Sequence, residues 1–132
     1  LLLQQRNLNK YHCGGLWTNT CCSHPRLNEN IVSAGERRLQ EEMGFKTKLR
    51  LIGDFKYRAE FTNGLVEHEY DHVLVGSYAV DNIPFNPNEV NAYRWITLEA
   101  LKDELSTAPQ NFTPWLVQAL AIVENNWSLI TC

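Results

Sequence analysis

Apolar residues recur along this chain with two periods, and the changes between them predict its elements. Leu1-Leu2-Leu3 followed by Gln4-Gln5 reads as a short strand over 1–5, and a second short strand is expected over about 15–20. From Ile31 the period becomes helical: Ile31, Ala34, Gly35, Leu39 and Met43 can share one face of a helix over about 31–43. Asn28-Glu29-Asn30 offers its caps and Gly44 its stop. The opposite face is expected to carry Glu36, Arg37, Gln40 and Glu41, with Glu42 as a further candidate. Phe55, Tyr57, Ala59 and Phe61 alternate as in a strand over 54–62, and Asn63-Gly64 is a turn signal before a long strand over 65–79. Tyr93-Arg94-Trp95-Ile96 reads as a strand, and Thr97 caps a short helix bearing Leu98, Leu101 and Leu105. Thr113 is expected to cap a last helix with Pro114 at its first position. Trp115, Leu116, Ala119, Leu120 and Val123 supply the apolar side of that helix. Strands and helices intermix, so the pattern predicts an α/β (α+β) sandwich with a mixed sheet.

Composition narrows the function classes. At 132 residues, with 44% hydrophobic and 20% charged residues, one domain over 1–132 with one sizeable core is expected. The net charge of -3 leaves no electrostatic footprint for nucleic acid or an anionic membrane. An anionic ligand must therefore meet a local cluster of Arg and Lys. Cys13, Cys21, Cys22 and Cys132 form a poor disulfide framework, which favours a reduced, cytoplasmic protein. No apolar run approaches a membrane span. The chain starts without Met, in what reads as a strand entered partway. The expectation is an ordered portion of a longer protein, its preceding segment disordered or absent, with the first alternative favoured.

Candidate chemistry sits in a few places. Glu67 and Glu69 lie two apart on an expected strand, so their side chains leave one face, and Asp71 continues it. Cys22 and His24 place a thiol two residues from an imidazole in the run Trp17-Thr18-Asn19-Thr20-Cys21-Cys22-Ser23-His24-Pro25. Each of these alone has an ordinary structural reading: a solvated sheet face, a small buried thiol, a surface imidazole. Arg6 and Lys10, four apart after a strand, could grip phosphate. The sharper signal is Glu29, seven residues, then Arg37-Arg38-Leu39-Gln40-Glu41-Glu42-Met43-Gly44-Phe45. It resembles the Nudix box, G-x5-E-x7-R-E-U-x-E-E-x-G-U, whose acids coordinate Mg2+ on a diphosphate. Ser23 stands where the opening Gly belongs, and Arg38 where the first Glu of the R-E pair belongs. That change removes a metal ligand and adds a positive charge, which suits gripping a diphosphate better than cleaving it.

Those departures, together with the run from Gly15 to Pro25, resemble type I isopentenyl diphosphate isomerase. The resemblance continues through Phe55-Lys56-Tyr57-Arg58-Ala59, Gly64-Leu65-Val66-Glu67-His68-Glu69 and Phe112-Thr113-Pro114-Trp115. It implies a Nudix-like α/β/α sandwich that converts isopentenyl diphosphate to dimethylallyl diphosphate in isoprenoid biosynthesis. One proton is added at the terminal alkene carbon and another is removed across the skeleton, through a carbocation-like intermediate. The resemblance further implies that Cys22 and Glu69 flank the substrate, with Tyr57 assisting proton delivery near Glu69. It gives Trp115 the role of presenting a π face to the cation. It makes His24, Glu67 and Glu69 ligands of an internal divalent metal (Mn2+, Mg2+ or Zn2+), and Glu42 the residue meeting Mg2+ on the substrate. Arg6, Lys10 and Arg38 become diphosphate partners, and a monomer or weak dimer is expected. The family carries two more His ligands and a Lys on a segment before the opening strand; no His precedes His12, which does not match either.

One geometric consequence follows from the turn. A two-residue Asn63-Gly64 turn would pair Tyr57 with Tyr70; a three-residue loop from Thr62 to Gly64 pairs Phe61 with Leu65 and Tyr57 with Glu69. The longer loop, with Gly64 left-handed, is the expectation. Two other functions compete with isomerisation: a Nudix-type diphosphate hydrolase and an inactive allylic-diphosphate-binding module.

Overall fold

The structure is a computed structural model that describes residues 1–10, 13–22, 25–60, 66–79 and 82–131, without the side chains of 59, 60, 66–69 and 131. Five strands and four α-helices are found among the described residues. Strands β1 (Leu2–Arg6), β2 (Trp17–Thr18) and β5 (Val90–Trp95) form one sheet in the order β2-β1-β5. Strands β3 (Arg50–Glu60) and β4 (Val66–Val75) form a second. Helices α1 (Ile31–Met43), α2 (Leu98–Thr107), α3 (Leu116–Asn125) and α4 (Trp127–Thr131) surround them.

β1 is the organising strand, and its sequence shows why. Its neighbours Leu2 and Leu3 point to opposite faces, as the strand period requires. Leu2 packs with Leu39, Met43 and Phe45 from α1 and the turn after it. Leu3 packs with Leu98 and Leu101 of α2 and with Leu116 and Leu120 of α3. A strand buried on both faces reads as an unbroken apolar run rather than an alternation. The Leu1-Leu2-Leu3 run is thus the signature of a sheet with helices on both sides. A register shift between Gln5 and Arg6 ends this regular part. Such an irregularity re-aims the side chain that follows it, here Arg6.

The expected α1 matches residue for residue. Asn30 caps it, accepting from the Ser33 amide at 2.7 Å, and Gly44 ends it in the left-handed region with φ 77. Glu42 departs from the expected outer face: it is buried at 4% exposure among the inward residues Leu39 and Met43. β3 begins at Arg50, earlier than the pattern suggests. β4 stops at Val75 rather than 79, because Val75 already faces Arg50, the first residue of its partner strand. The β3–β4 register pairs Tyr57 with Glu69, as the longer loop requires, while the loop itself, 61–65, lies outside the described residues. Thr113 does not cap α3; the helix starts at Leu116 and its cap residue Trp115 makes no capping side-chain bond. The Thr113 hydroxyl instead meets that of Thr18 at 2.7 Å. The α/β class holds, but the named strands pair antiparallel; parallel pairing among the described residues is confined to the bridge between Trp17 and Phe112. No helix among the described residues is long and apolar enough to cross a membrane.

Candidate active site

A cavity of about 920 Å³ opens beside the N-terminal strand, and Arg6, Lys10, Cys22, Arg38, Glu42 and Trp115 all line it. Six residues singled out from sequence, spread from the first strand to the last third of the chain, therefore share one space. Tyr57 stands behind this wall: it is buried, and its ring meets that of Trp115 edge-on at 5.8 Å. Position 69 lies opposite Tyr57 in the register. The side chains of Glu67 and Glu69 and the whole of His24 fall outside the described residues.

Asn19, which the sequence reading left without a role, organises the thiol side. Its Oδ1 accepts from the Cys22 thiol at 3.3 Å and from Trp115 Nε1 at 3.1 Å, while its Nδ2 donates to the Cys21 carbonyl at 2.7 Å. One short side chain thus fixes both the loop and the indole. Burial pushes the Cys22 thiol up from its ordinary 9.0 to about 11. The Arg6 charge and the hydrogen bonding with Asn19 and Trp115 pull it back, and Glu42 pushes it further up. Near neutral pH this group is a thiol with a proton to give. Burial, followed by the neighbouring Glu42, holds Cys21 well above its usual range too.

The cationic side is built from three elements. The Arg6 guanidinium lies 5.7 Å from the centre of the Trp115 ring. Its Nε is buried with no hydrogen-bond partner among the described residues. A buried guanidinium N–H without an acceptor is costly to leave so, and an anion in the cavity would satisfy it. Lys10 is ion-paired to Glu89, and Arg38 comes within 3.7 Å of the same Glu89 oxygen. Glu89 is a second residue missed from sequence. It sits in the Asn86-Pro87-Asn88-Glu89 turn, where local pattern marks only a loop. Arg38 also reaches Glu41 at 2.9 Å and Glu42 at 2.5 Å.

Glu42 accepts from three different residues. Gln4 Nε2 donates to its Oε1 at 3.0 Å, the Cys21 thiol to the same oxygen at 3.2 Å, and Arg38 to Oε2. A buried carboxylate oxygen facing the cavity is a hard donor of the kind Mg2+ takes, so this residue fits an ion carried in on a diphosphate. Among the described residues, no group of three or more His, Cys, Asp and Glu is gathered as a metal site. The other acids of the box have different work. Arg37 clamps Glu29 with two bonds, at 2.8 and 3.0 Å, tying the segment before α1 to the helix, and this holds the Glu29 carboxyl down at about 2.

Helices on both faces of a sheet, a box-like helix carrying a buried acid, and cations lining one cavity together are features of a domain of the Nudix class. The model of the NUDIX domain matches residues 1–116. The fold alone is shared with the MutT protein from Methanosarcina mazei Go1, at a TM-score of 0.73 and 20% identity over 95% of this chain and 83% of that one. At the sequence level the chain is 50% identical to the isopentenyl-diphosphate Delta-isomerase of Photobacterium profundum, covering 96% of this chain and 72% of that protein. It is 46% identical to the enzyme of the same name from Serratia proteamaculans, covering 89% of this chain and 65% of that protein. The chain belongs to the NUDIX family and, within it, to the isopentenyl-diphosphate Delta-isomerases.

Proposed function

We propose that this protein isomerises isopentenyl diphosphate to dimethylallyl diphosphate, with the five-carbon skeleton between Cys22 and Glu69. The observation that carries this reading is the convergence of Arg6, Lys10 and Arg38 with Cys22 and Trp115 on one cavity. The cations would hold the diphosphate, and Glu42 is the residue suited to the Mg2+ it carries, an ion that offsets part of the diphosphate charge. His24, Glu67 and Glu69 are the proposed holders of a further divalent metal, Mn2+, Mg2+ or Zn2+. Its charge would fix Glu69 and lower the basicity of that carboxylate.

The chemistry balances as a proton in and a proton out. A proton adds to the terminal methylene, the double-bond electrons form the new C–H bond, and positive charge develops on the tertiary carbon. A proton then leaves the neighbouring methylene, whose C–H electrons form the new double bond. Cys22 and Glu69 are the proposed pair for these two transfers, one on each side of the skeleton. Trp115 offers π density to the cationic carbon, and Tyr57, opposite position 69, is suited to assisting there. Burial of this wall keeps water from the intermediate. A single domain over 1–132, a cytoplasmic location and a monomer or weak dimer complete the proposal.

The test is to incubate the full-length protein with isopentenyl diphosphate, Mg2+ and Mn2+ or Zn2+, and to resolve products by NMR. Dimethylallyl diphosphate is expected. Release of pyrophosphate or monophosphate without the isomer would instead make it a hydrolase, and binding without conversion an inactive binding module. Cys22→Ala and Glu69→Gln should each cost about 100-fold or more in turnover with the fold intact. Near-normal turnover in either variant removes that residue from the acid–base pair.

A further inference from the structure

We infer that Gln4 is a positioning residue that holds the Glu42 carboxylate and the Cys22 loop in one frame. The inference rests on the reading of Glu42 as the residue that meets the substrate's Mg2+. Gln4 lies in the central strand, at 3% exposure, directly after two core leucines. Packing alone does not call for an amide there, since an apolar side chain of similar size would fill the space. Its Nε2 donates to the Thr20 carbonyl at 2.7 Å and to Glu42 Oε1 at 3.0 Å. An amide nitrogen has two hydrogens, and both are spent. Turning the amide over would set its oxygen against two acceptors, so its orientation is fixed by chemistry.

The two anchored groups are the ones the reaction must keep in register. Thr20 lies two residues before Cys22, and its hydroxyl donates back to the Leu2 carbonyl at 2.5 Å, so β1 grips the loop at two points. Glu42 has Oε1 on Gln4 and Oε2 on Arg38, which leaves its carboxylate one orientation. A carboxylate held in this way needs no ordering when an ion arrives.

Gln5 is a matched comparison on the same strand. Its Nε2 donates to the Gly15 carbonyl at 3.0 Å and its Oε1 accepts from Asn91 at 2.6 Å, with no bond to Glu42. The experiment compares Gln4→Met, Gln5→Met and Glu42→Gln in the full-length protein. Its readouts are calorimetric binding of inorganic pyrophosphate with and without Mg2+, the Mg2+ concentration for half-maximal turnover, and Tm. Gln4→Met should weaken Mg2+-dependent pyrophosphate binding about 10-fold or more and raise the half-maximal Mg2+ concentration in step. Pyrophosphate binding without Mg2+ should hold. Gln5→Met should move neither Mg2+ quantity. Equal Mg2+ shifts in both glutamine variants would reduce Gln4 to a structural residue and overturn the inference. A shift in Glu42→Gln without one in Gln4→Met overturns the inference alone, whereas no shift in Glu42→Gln overturns the reading of Glu42 itself. If Gln4→Met does not fold, Gln4→Asn stays polar but is one methylene too short to reach both acceptors, and the same shift is expected of it.

Discussion

Cys22 and Cys21 are neighbours in sequence with different surroundings. Cys22 meets Asn19, Trp115 and the Arg6 charge, whereas Cys21 donates to the Glu42 carboxylate. Burial raises both thiols, Cys22 to about 11. A thiol whose folded pKa lies above its unfolded value keeps its proton in the native state after the unfolded chain has lost it. Stability from this group is therefore complete below pH 9.0 and falls as pH rises toward about 11. In a Cys21→Ala background, the rate of Cys22 alkylation by iodoacetamide should keep climbing to near that upper value, followed by mass spectrometry. A plateau already at pH 9.0 would mean that the loop leaves the thiol solvated. The pair Cys22 and His24 stood out in sequence because unusual residue types are visible without a fold. Asn19 did not, since an asparagine in a loop is ordinary until its partners are known.

At the scale of elements, α1 shows what local signals reach. Its cap, its length and its stop are all written within a few residues of each other, and the structure has each where the pattern puts it. Gly44 is the most exacting of these: beyond its φ of 77, a Cβ there would lie 2.1 Å from the Pro84 carbonyl oxygen. Gly44→Ala should therefore cost at least about 1–3 kcal/mol, read as a lower denaturation midpoint with unchanged slope. A midpoint equal to the parent's would show that the Pro84 segment yields freely. Local signals misled where a tertiary partner outbid them. Thr113 has the residue type and the following proline of a cap, yet its hydroxyl is taken by Thr18 from another strand. Glu42 has the charge of an outward residue, yet Gln4, Cys21 and Arg38 supply the donors that let it be buried.

Across the whole molecule, the buried bond between Thr18 and Thr113 ties the β2 edge to the segment that delivers Trp115, and it joins residues 95 apart. Thr18→Val should cost about 1–3 kcal/mol, because it leaves the buried Thr113 hydroxyl unpaired, whereas Thr113→Val should cost less, since the Thr18 hydroxyl still donates to Asn19 Oδ1 at 2.8 Å. The double variant should cost less than the sum of the two, as both polar groups are then gone. Strict additivity in denaturation experiments would show that the two hydroxyls act independently. By itself, the sequence determined what depends on near neighbours: the caps of α1 and α2, the strand period, and the family motifs with their telling Arg38. The Tyr57–Glu69 register was also within its reach, because one hairpin loop fixes it. Only the tertiary structure decided which side chains meet. Gln4 finds Glu42 across 38 residues, Lys10 finds Glu89 across 79, and Trp115 finds Asn19 across 96. No periodicity or cap carries over such separations; those contacts exist because α1, the turn before β5 and the segment before α3 all pack beside β1 and the loops that flank it.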